Sequence, residues 1–335
     1  MTLKESLLWP LALPYGAAAH LRARLYRTGI LKQQRLDGVV ISVGNLTTGG
    51  TGKTPMVLWI AERLLSEGKS TGILTRGYRG QESAAGSTSD EVRLMQARLG
   101  DRVAFGVGAG RFSHGRELAA RGVKWFVLDD GFQHLQLARD ADIVLIDATN
   151  PFGGGHLLPA GRLREPRSAL ARADLIVITR SDHAPAVEAA VRRDSDAPIF
   201  YARTQIDSVR AWRGEYPGAE DAGARSRKLF AFCGIGNPSA FLADLRDWGF
   251  QIAGHAFFPD HHRYTPQDIR AIEGEARNAG ASSLICTEKD IVNLSGDLRR
   301  SMDLHYCLIS LRIDRESEFW SAIVKAAQSR GRSAQ

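Results

Sequence analysis

The sequence contains little cysteine and little proline, and it has no long apolar stretch. Its 335 residues include three cysteines, Cys233, Cys286 and Cys307, whose spacing fits neither a CxxC pair nor a zinc site. They provide no disulfide framework, which favours a reducing compartment. No apolar run approaches the ~20 residues that span a bilayer, so a transmembrane helix is not expected. The 12 prolines stand against 34 glycines, which suits a chain with many tight strand-to-helix turns.

The overall composition is that of a folded protein with a basic bias. Hydrophobic residues make up 44% and charged residues 24%, which argues against disorder. At ~150 residues per domain, the length favours two domains. The net charge of +7, from 44 basic and 37 acidic residues, indicates a nucleic acid, a phosphorylated substrate or an acidic membrane surface as partner. No recognised nucleic-acid-binding motif accompanies the charge, so no nucleic-acid partner is expected.

Residues 1–36 combine an apolar stretch with basic side chains. Residues 6–21 carry no formal charge, and the chain then becomes basic. The basic residues are Arg22, Arg24 and Arg27, and the rings suited to the depth of lipid headgroups are Trp9, Tyr15 and Tyr26. Because Pro10 and Pro14 break a long helix, we predict a short apolar lead and then a helix near residues 16–30.

This N-terminal segment is predicted to be an amphipathic helix that associates with an anionic membrane surface. Two other interpretations stay open. The helix could pack on its own domain, since amphipathicity does not distinguish a membrane from a core. The segment could also be a signal peptide, because residues 17–19 resemble a cleavage site, although Glu5 and the two prolines argue against this.

A glycine-rich loop follows a short β-branched run. Residues 39–43 (VVISV) predict a buried strand, and the helical pattern MVLWIAERLLSEGK follows the loop. Together they form the context of a P-loop, in which backbone N–H groups surround phosphate oxygens. Lys53 can reach the β- and γ-phosphates, and the Thr54 hydroxyl can hold Mg²⁺. The predicted nucleotide-binding residues of the loop are Thr47, Thr48, Gly49, Gly50, Thr51, Gly52, Lys53 and Thr54.

One loop position departs from the usual P-loop pattern. Thr47 stands where the GxxxxGK[ST] pattern has its first glycine. Gly49 and Gly50 inside the loop can compensate for this change. The alternative to a phosphate site is a glycine-rich turn with a chance lysine.

Apolar runs that end in polar residues recur at helix-sized intervals after the loop. They are TGILT (71–75), KWFVL (124–128), DIVLID (142–147), DLIVIT (174–179) and APIFY (197–201). This pattern is typical of a parallel sheet covered on both faces. Residues 37–204 are therefore predicted to form a P-loop NTPase-like α/β domain with three α/β/α layers, whose functional groups gather beyond the carboxyl ends of the strands.

Acidic residues follow one of these strands and open one of the helices. Asp129 and Asp130 stand where a Walker B acid belongs, and either could hold Mg²⁺ directly or through water; the alternative is a solvated turn. Asp90 and Glu91 open a helix, and Ser89 or Asp90 is a plausible N-cap.

The remaining candidates lie further along the chain. Arg111 could contact a γ-phosphate or lie on the surface. Residues 205–227 predict a connection or a hairpin between domains, and residues 228–325 predict a smaller α/β domain. Within it, His261 by itself predicts only a surface turn residue. Two similar segments, TRSD (179–182) and TEKD (287–290), resemble the base-reading TKxD segment of some GTPases.

Six segments together resemble the tetraacyldisaccharide 4′-kinase family, the lipid A 4′-kinases of Gram-negative bacteria. The segments are GNLTTGGTGKTP, LTRGYRG, SDE, LDDGFQH, LREP and FPDHH. Their order is also that of the family, and the resemblance covers about residues 8–315. It implies a kinase that uses ATP and Mg²⁺ and phosphorylates the 4′-hydroxyl of an acylated glucosamine disaccharide 1-phosphate. It also implies a peripheral protein at the cytoplasmic face of the bacterial inner membrane.

The resemblance further implies roles for individual residues. Asp90 becomes the general base, with His261 as its partner and the adjacent His262 as the alternative. Lys53 contacts the phosphates and takes part in catalysis. The residues implied at Mg²⁺ are Thr54, Asp129, Asp130 and, as a further participant, Glu91.

A switch-type P-loop GTPase or ATPase without an acceptor substrate, such as a metallochaperone or a targeting factor, is the alternative function. The TRSD and TEKD segments favour it, but neither is a full TKxD. The cysteines offer no metal-transfer motif, and a pair of Asp90 and His261 has no place in that function.

Overall fold

The structure, a computed structural model, describes residues 3–77, 89–214, 216–294 and 301–332. The contacts between residues divide the chain into two compact units. The first comprises Met1–Gly77, Asp101–Thr204 and Leu311–Gln335, and the second comprises Tyr78–Gly100 and Gln205–Ser310.

Strands and helices alternate along most of the described chain. The strands are β1 Val39–Asn45, β2 Thr71–Thr75, β3 Ala104–Val107, β4 Trp125–Asp129, β5 Ala141–Asp147, β6 Leu175–Thr179, β7 Ile199–Trp212, β8 Lys228–Cys233, β9 Gln251–Phe257, β10 Ser283–Thr287 and β11 Asp303–Ile313. The helices are α1 Leu3–Arg27, α2 Lys53–Ser66, α3 Asp90–Leu99, α4 Arg111–Ala120, α5 Pro185–Arg192, α6 Pro238–Asp247, α7 Pro266–Asn278, α8 Glu288–Ile291 and α9 Glu316–Arg332.

The first unit is built on a parallel sheet with the strand order β3-β2-β4-β1-β5-β6-β7. Phe126 and Leu128 of β4 pack with Leu118 of α4. Val127 between them is equally buried, and its side chain points to the opposite face because side chains alternate along a strand. The predicted parallel sheet with two covered faces is therefore confirmed.

The second unit has its own parallel sheet, in the order β11-β10-β8-β9. Alternate residues of β8 face different helices. Phe230 and Phe232 cluster with residues of α7, whereas Leu229 and Ala231 cluster with residues of α6. The predicted second, smaller α/β unit is thus confirmed as a sheet with helices on both faces.

Two helices belong to a different unit from the one that the predicted boundaries would give them. Helix α3 groups with the second unit, where Arg98 makes a bidentate ion pair with Glu288, with both N–O distances 2.8 Å. Helix α9 groups with the first unit, where the Trp320 indole donates to Glu67 at 2.6 Å. Both assignments depend on contacts between residues far apart in sequence, and the boundaries proposed from the sequence stay a prediction.

The N-terminal helix is longer than predicted. Helix α1 runs from Leu3 to Arg27 with Pro10 and Pro14 inside it, so the expectation that the prolines end a short lead was wrong. Each proline removes only one hydrogen bond to the residue four positions earlier, and a helix can continue past it with a bend. Within the described residues, none of the helices has the length and apolarity needed to cross a membrane.

The segment predicted as a connection begins as a strand. Residues 205–212 continue β7. The chain then turns back, and the backbone N–H of Ala211 donates to Ala219 O at 2.8 Å while that of Asp221 donates to Val209 O at 2.9 Å. The hairpin that the sequence left open as an alternative is therefore present.

Candidate active site

The glycine-rich loop links β1 to α2 in the first unit. Gly52, the residue before α2, has φ 87°, a backbone conformation that favours glycine. Thr47 pairs in antiparallel fashion with Leu163, and Arg162 donates to Thr48 O from Nε at 3.0 Å and from Nη2 at 2.7 Å. The loop is thus held in place by the segment around residues 156–164.

Backbone conformation explains one of the glycines inside the loop. Gly49 has φ 117°, and a Cβ atom there would lie 2.0 Å from Nη2 of Arg162. Gly50, by contrast, has open space around it. Glycine at position 49 is therefore favoured by the positive φ, whereas the guanidinium of Arg162 is the end of a flexible side chain that can shift.

Lys53, the first residue of α2, has its ammonium group between two oxygens. Its Nζ donates to Asn45 Oδ1 at 3.2 Å and lies 3.5 Å from Asp130 Oδ1. Asn45 is the last residue of β1. The amide nitrogen Nδ2 of Asn45 is buried and has no hydrogen-bond partner among the described residues.

The paired aspartates end β4 in different environments. Asp129 Oδ2 accepts a hydrogen bond from Thr75 at 2.9 Å, and burial, together with the neighbouring Asp130 charge, raises the pKa of Asp129. Burial also opposes ionisation of Asp130, but Lys53 and Arg164 outweigh it, so the pKa of Asp130 is lowered. Asp129 is therefore a half-buried carboxylate at the end of β4, and burial and the Asp130 charge outweigh the favourable effects of Lys53, Thr75 and Arg111 on its ionised form.

Arg164 compensates Asp130 together with Lys53, and sequence reasoning gave Arg164 no role. Its Nη1 lies 2.9 Å from Oδ1 and 2.8 Å from Oδ2 of Asp130. Asp130 has φ 49°, a strained conformation for a residue other than glycine. Arg164 belongs to the LREP segment, which was noted from the sequence only because the segment resembles one of the family.

The turn after the aspartates packs directly on β1. Gln133 Nε2 donates to Asn45 O at 3.0 Å. A Cβ on Gly44 would lie 2.6 Å from the backbone N of Phe132. This close approach brings the turn after β4 beside the start of the glycine-rich loop.

Arg111 begins α4 and is only 4% exposed, so the surface alternative was wrong. Its Nη1 donates to Asp130 O at 3.3 Å. Burial lowers the pKa of its guanidinium, and the negative charges of Asp129 and Asp130 only partly offset this effect. Its proposed contact with a phosphate stays a prediction.

Asp90 lies in the second unit, and its side chain is engaged in long-range contacts. Ser89 is the N-cap of α3, because its hydroxyl accepts from the backbone N–H of Val92 at 3.3 Å. Asp90 is 8% exposed, and its Oδ2 accepts from His261 Nδ1 at 2.7 Å. Ser89, and not Asp90, is therefore the N-cap of α3, and the Asp90 carboxylate is available for another role.

The contact between Asp90 and His261 favours a charged pair. The hydrogen bond to Asp90 raises the pKa of His261, although burial opposes this. Burial disfavours the Asp90 carboxylate, but the hydrogen bonds from His261 and Asn293 outweigh it, and the pKa of Asp90 lies well below its ordinary value. His261 also has φ 63°, so its backbone is held in a strained conformation.

The adjacent His262 is engaged elsewhere. Its Nε2 lies 3.1 Å from Asp268 Oδ2, and its ring stacks on Phe258 with a centroid distance of 4.6 Å. Of the two histidines that the sequence left open, His261 is the one that contacts Asp90.

Lys289 is a further charged neighbour of Asp90 that sequence reasoning did not single out. Its Nζ lies 3.1 Å from Asp260 Oδ1, 3.7 Å from Asp90 Oδ2 and 3.9 Å from Glu91 Oε1. Glu91 thus sits beside the Asp90 carboxylate and a lysine. Its predicted participation at Mg²⁺ stays a prediction.

The two segments that resemble a base-reading motif place their aspartates in different surroundings. Asp290 is fully buried and accepts hydrogen bonds from Gly234 N and Tyr264 Oη, each at 2.8 Å. Asp182 lies 3.1 Å from an Arg203 nitrogen and 2.5 Å from one of Arg312. Asp290 is therefore occupied by the protein itself, which argues against a role in reading a guanine base, whereas Asp182 is exposed and makes surface ion pairs.

Within the residues that the structure describes, no cluster of three or more His, Cys, Asp or Glu side chains is arranged to hold a metal ion by itself.

Comparison with known proteins identifies the family. The family model described as tetraacyldisaccharide-1-P 4′-kinase matches residues 4–328. The chain belongs to this family.

Similar proteins agree with this assignment along the chain. A tetraacyldisaccharide 4′-kinase from Anaeromyxobacter sp. (strain K) is 41% identical over 305 residues, which are 85% of this chain and 80% of that protein. One from Geobacter metallireducens is 40% identical over 314 residues, 88% of this chain and 90% of that protein. The predicted family and enzyme class are confirmed, and the switch-type alternative is not favoured.

A solved structure supports the fold over almost the full length. The crystal structure of LpxK from Aquifex aeolicus in complex with ATP has a TM-score of 0.75 to this chain and is 29% identical to it. The match covers 96% of this chain and 99% of that protein. The predicted P-loop NTPase-like α/β fold is thereby confirmed.

Proposed function

We propose that this protein transfers the γ-phosphoryl group of ATP to the 4′-hydroxyl of an acylated glucosamine disaccharide 1-phosphate. Membership of the 4′-kinase family supports the reaction, and the 2.7 Å contact between Asp90 and His261 is the observation that carries the assignment of the catalytic base. The product is the 1,4′-bisphosphate of lipid A biosynthesis.

The first unit binds the triphosphate. Backbone N–H groups of residues 47–52 and the N-terminus of α2 provide partial positive charge for phosphate oxygens. Lys53 contributes a full charge from the first position of that helix, and Arg111 is a second, buried cation close to the aspartates. These groups neutralise the charge that develops on the phosphoryl oxygens during transfer.

The paired aspartates fit a magnesium site. Asp129 is half-buried beside a second carboxylate, and its raised pKa marks a position where a cation is electrostatically favourable. Asp129, Asp130 and the Thr54 hydroxyl would hold the ion, which supplies charge neutralisation on the phosphates when bound. Because Arg164 already compensates Asp130, we expect Asp129 to gain most from the ion.

The second unit supplies the base. A sugar hydroxyl is a poor nucleophile at neutral pH, and Asp90 accepts its proton as the new bond to phosphorus forms. Base catalysis of this kind is typically worth ~10²–10⁴-fold. His261 orients the carboxylate through its Nδ1–H and stabilises the ionised form of Asp90.

Helix α1 is proposed to bring the protein to the cytoplasmic face of the inner membrane, where an acylated substrate resides. Its exposed large apolar residues are Trp9, Leu11, Leu13, Tyr15 and Leu21, and Arg22 and Arg24 follow on the same helix. Flotation with liposomes that contain anionic lipid tests this assignment. Loss of binding on removal of residues 1–35 is expected, and unchanged binding would contradict it.

Incubation of the purified protein with [γ-³²P]ATP, Mg²⁺ and tetraacyldisaccharide 1-phosphate tests the reaction. Thin-layer chromatography should show a labelled lipid that requires the acceptor and that GTP forms far less well. Release of labelled phosphate without a labelled lipid would contradict the proposal and support a nucleotide switch.

A further inference from the structure

The residues that follow β10 form a bracket around the helix that carries Asp90. This bracket, residues 287–293, contains the TEKD segment and the turn after α8. Glu288 binds Arg98 of α3, and Lys289 lies 3.7 Å from Asp90 Oδ2. The bracket therefore contacts α3 both at its last turn and at its first residue.

Asn293 makes the most specific of these contacts. Its Nδ2 donates to Asp90 Oδ2 at 3.1 Å, and its Oδ1 accepts from Arg93 Nη2 at 2.5 Å. A guanidinium group can only donate hydrogen bonds. Arg93 therefore fixes which end of the Asn293 amide faces it, and the NH₂ group must point to Asp90.

The bracket and the loop that carries His261 are joined through a buried carboxylate. Asp290 closes the capping box of α8 with Thr287 and accepts from Gly234 N at 2.8 Å. Gly234 O in turn accepts from the backbone N–H of His261 at 3.2 Å. The two donors to Asp90 thus come from segments that share one anchor.

The contacts of Asp90 are concentrated on one oxygen. His261 Nδ1, Asn293 Nδ2 and Lys289 Nζ all approach Oδ2. In the part of the chain that the structure describes, hydrogen bonds and ion pairs to this side chain end on Oδ2 and not on Oδ1. The two carboxylate oxygens are therefore not equivalent.

We propose that Asn293 is a positioning residue for the transfer reaction, and that with His261 it holds Oδ2 of Asp90 so that Oδ1 accepts the proton of the sugar hydroxyl. In this step the hydroxyl oxygen forms a bond to the γ-phosphorus of ATP. The bond from that phosphorus to the β,γ-bridging oxygen breaks, and its electron pair leaves with ADP. This inference rests on the proposed kinase function.

Steady-state kinetics of Asn293→Ala and Asn293→Asp test the proposal. We expect Asn293→Ala to lower kcat by ~10- to 100-fold, a part of the ~10²–10⁴-fold that a general base supplies, with the KM for ATP within about twofold of the unmodified value. Asn293→Asp keeps the size and the acceptor for Arg93 but has no donor, so its kcat should fall at least as far. Asn278→Ala, an exposed site at the end of α7, is the matched control and should leave kcat unchanged.

A double-mutant cycle separates positioning from a general loss of structure. If Asn293 acts through Asp90, Asn293→Ala should lower kcat no further when Asp90→Ala is already present, whereas independent effects would multiply. Multiplying effects, or a folded Asn293→Asp variant with unmodified kcat, would overturn the proposal. Circular dichroism melting establishes folding of each variant. Absence of lipid phosphorylation by the unmodified protein would instead overturn the proposed function, and this inference with it.

Discussion

His261 Nδ1 lies 2.7 Å from Asp90 Oδ2, although 171 positions separate the two residues in the sequence. The aspartate comes from the first position of α3, and the histidine follows β9 in a strained backbone conformation. A histidine that only occupied a surface turn would need neither an aspartate partner nor a strained backbone. The pair is the basis of the first three predictions.

Replacement of the proposed base should abolish turnover but not nucleotide binding. Asp90→Asn keeps the size of the side chain and removes its charge, so we expect kcat to fall by ~10²–10⁴-fold. The Kd for ATP, measured by isothermal titration calorimetry, should stay within about twofold. Asp247→Asn, at an exposed position at the end of α6, is the control for loss of one negative charge, and an equal loss of kcat in both variants would contradict the assignment.

The titration of His261 should depend on Asp90. The hydrogen bond that His261 donates to Asp90 raises the pKa of His261 above the ordinary value of 6.5, so a histidine ring signal followed by NMR should titrate above 6.5. In Asp90→Asn the same signal should titrate at a lower pH. A signal that does not move between the two proteins would show that the contact is absent in solution.

The contact between Asp90 and His261 also predicts how the free energy of unfolding changes with pH. Because the pKa of His261 is raised in the folded state, its stabilising contribution is fully present below about pH 6.5, the unfolded value. It is lost as the pH rises through the folded pKa. Urea unfolding should therefore show a larger difference between the unmodified protein and His261→Gln at pH 5.5 than at pH 9. An equal difference at both values would contradict the ion pair.

Local patterns were enough to predict the strands and the glycine-rich loop. Residues 39–43 and 71–75 are short runs rich in apolar and β-branched residues. Both lie in strands, because burial on two faces leaves a signal in consecutive residues. The Gly-Lys-Thr segment also carries its own structural context. Such features need no knowledge of distant residues.

Residues whose roles depend on long-range packing could not be found in the same way. Arg164 and Asn293 gain significance only because folding brings them to Asp130 and Asp90, and an isolated arginine or asparagine in a sequence has no distinguishing pattern. The length of α1 was mispredicted for a local reason. Propensity marks Pro10 as a helix breaker, but a helix can continue past a proline with a bend.

Loss of the Lys53 charge should weaken both binding and catalysis. Lys53→Met removes the ammonium group that lies 3.2 Å from Asn45 Oδ1 and 3.5 Å from Asp130 Oδ1. The Kd for ATP should rise about tenfold or more, since a charge-assisted contact to phosphate is worth ~1.5–3 kcal/mol, and kcat should fall as well. Lys325→Met, on the exposed side of α9, is the matched control. An unchanged Kd for ATP would argue against triphosphate binding at this loop.

Gly44→Ala should destabilise the protein because the turn after β4 approaches β1 too closely for a methyl group. The new Cβ would lie 2.6 Å from both the backbone N and the Cβ of Phe132, and relief of such overpacking typically costs ~1–3 kcal/mol. Gly274→Ala is the matched control, since that glycine lies in α7 with open space around it, and alanine there should stabilise the helix by ~0.5–1 kcal/mol. Urea unfolding of the two variants should therefore give changes in the free energy of unfolding of opposite sign. If Gly44→Ala were as stable as the unmodified protein, Phe132 would lie further from Gly44 than the structure places it. The position of Asp129 and Asp130 beside the glycine-rich loop would then need revision.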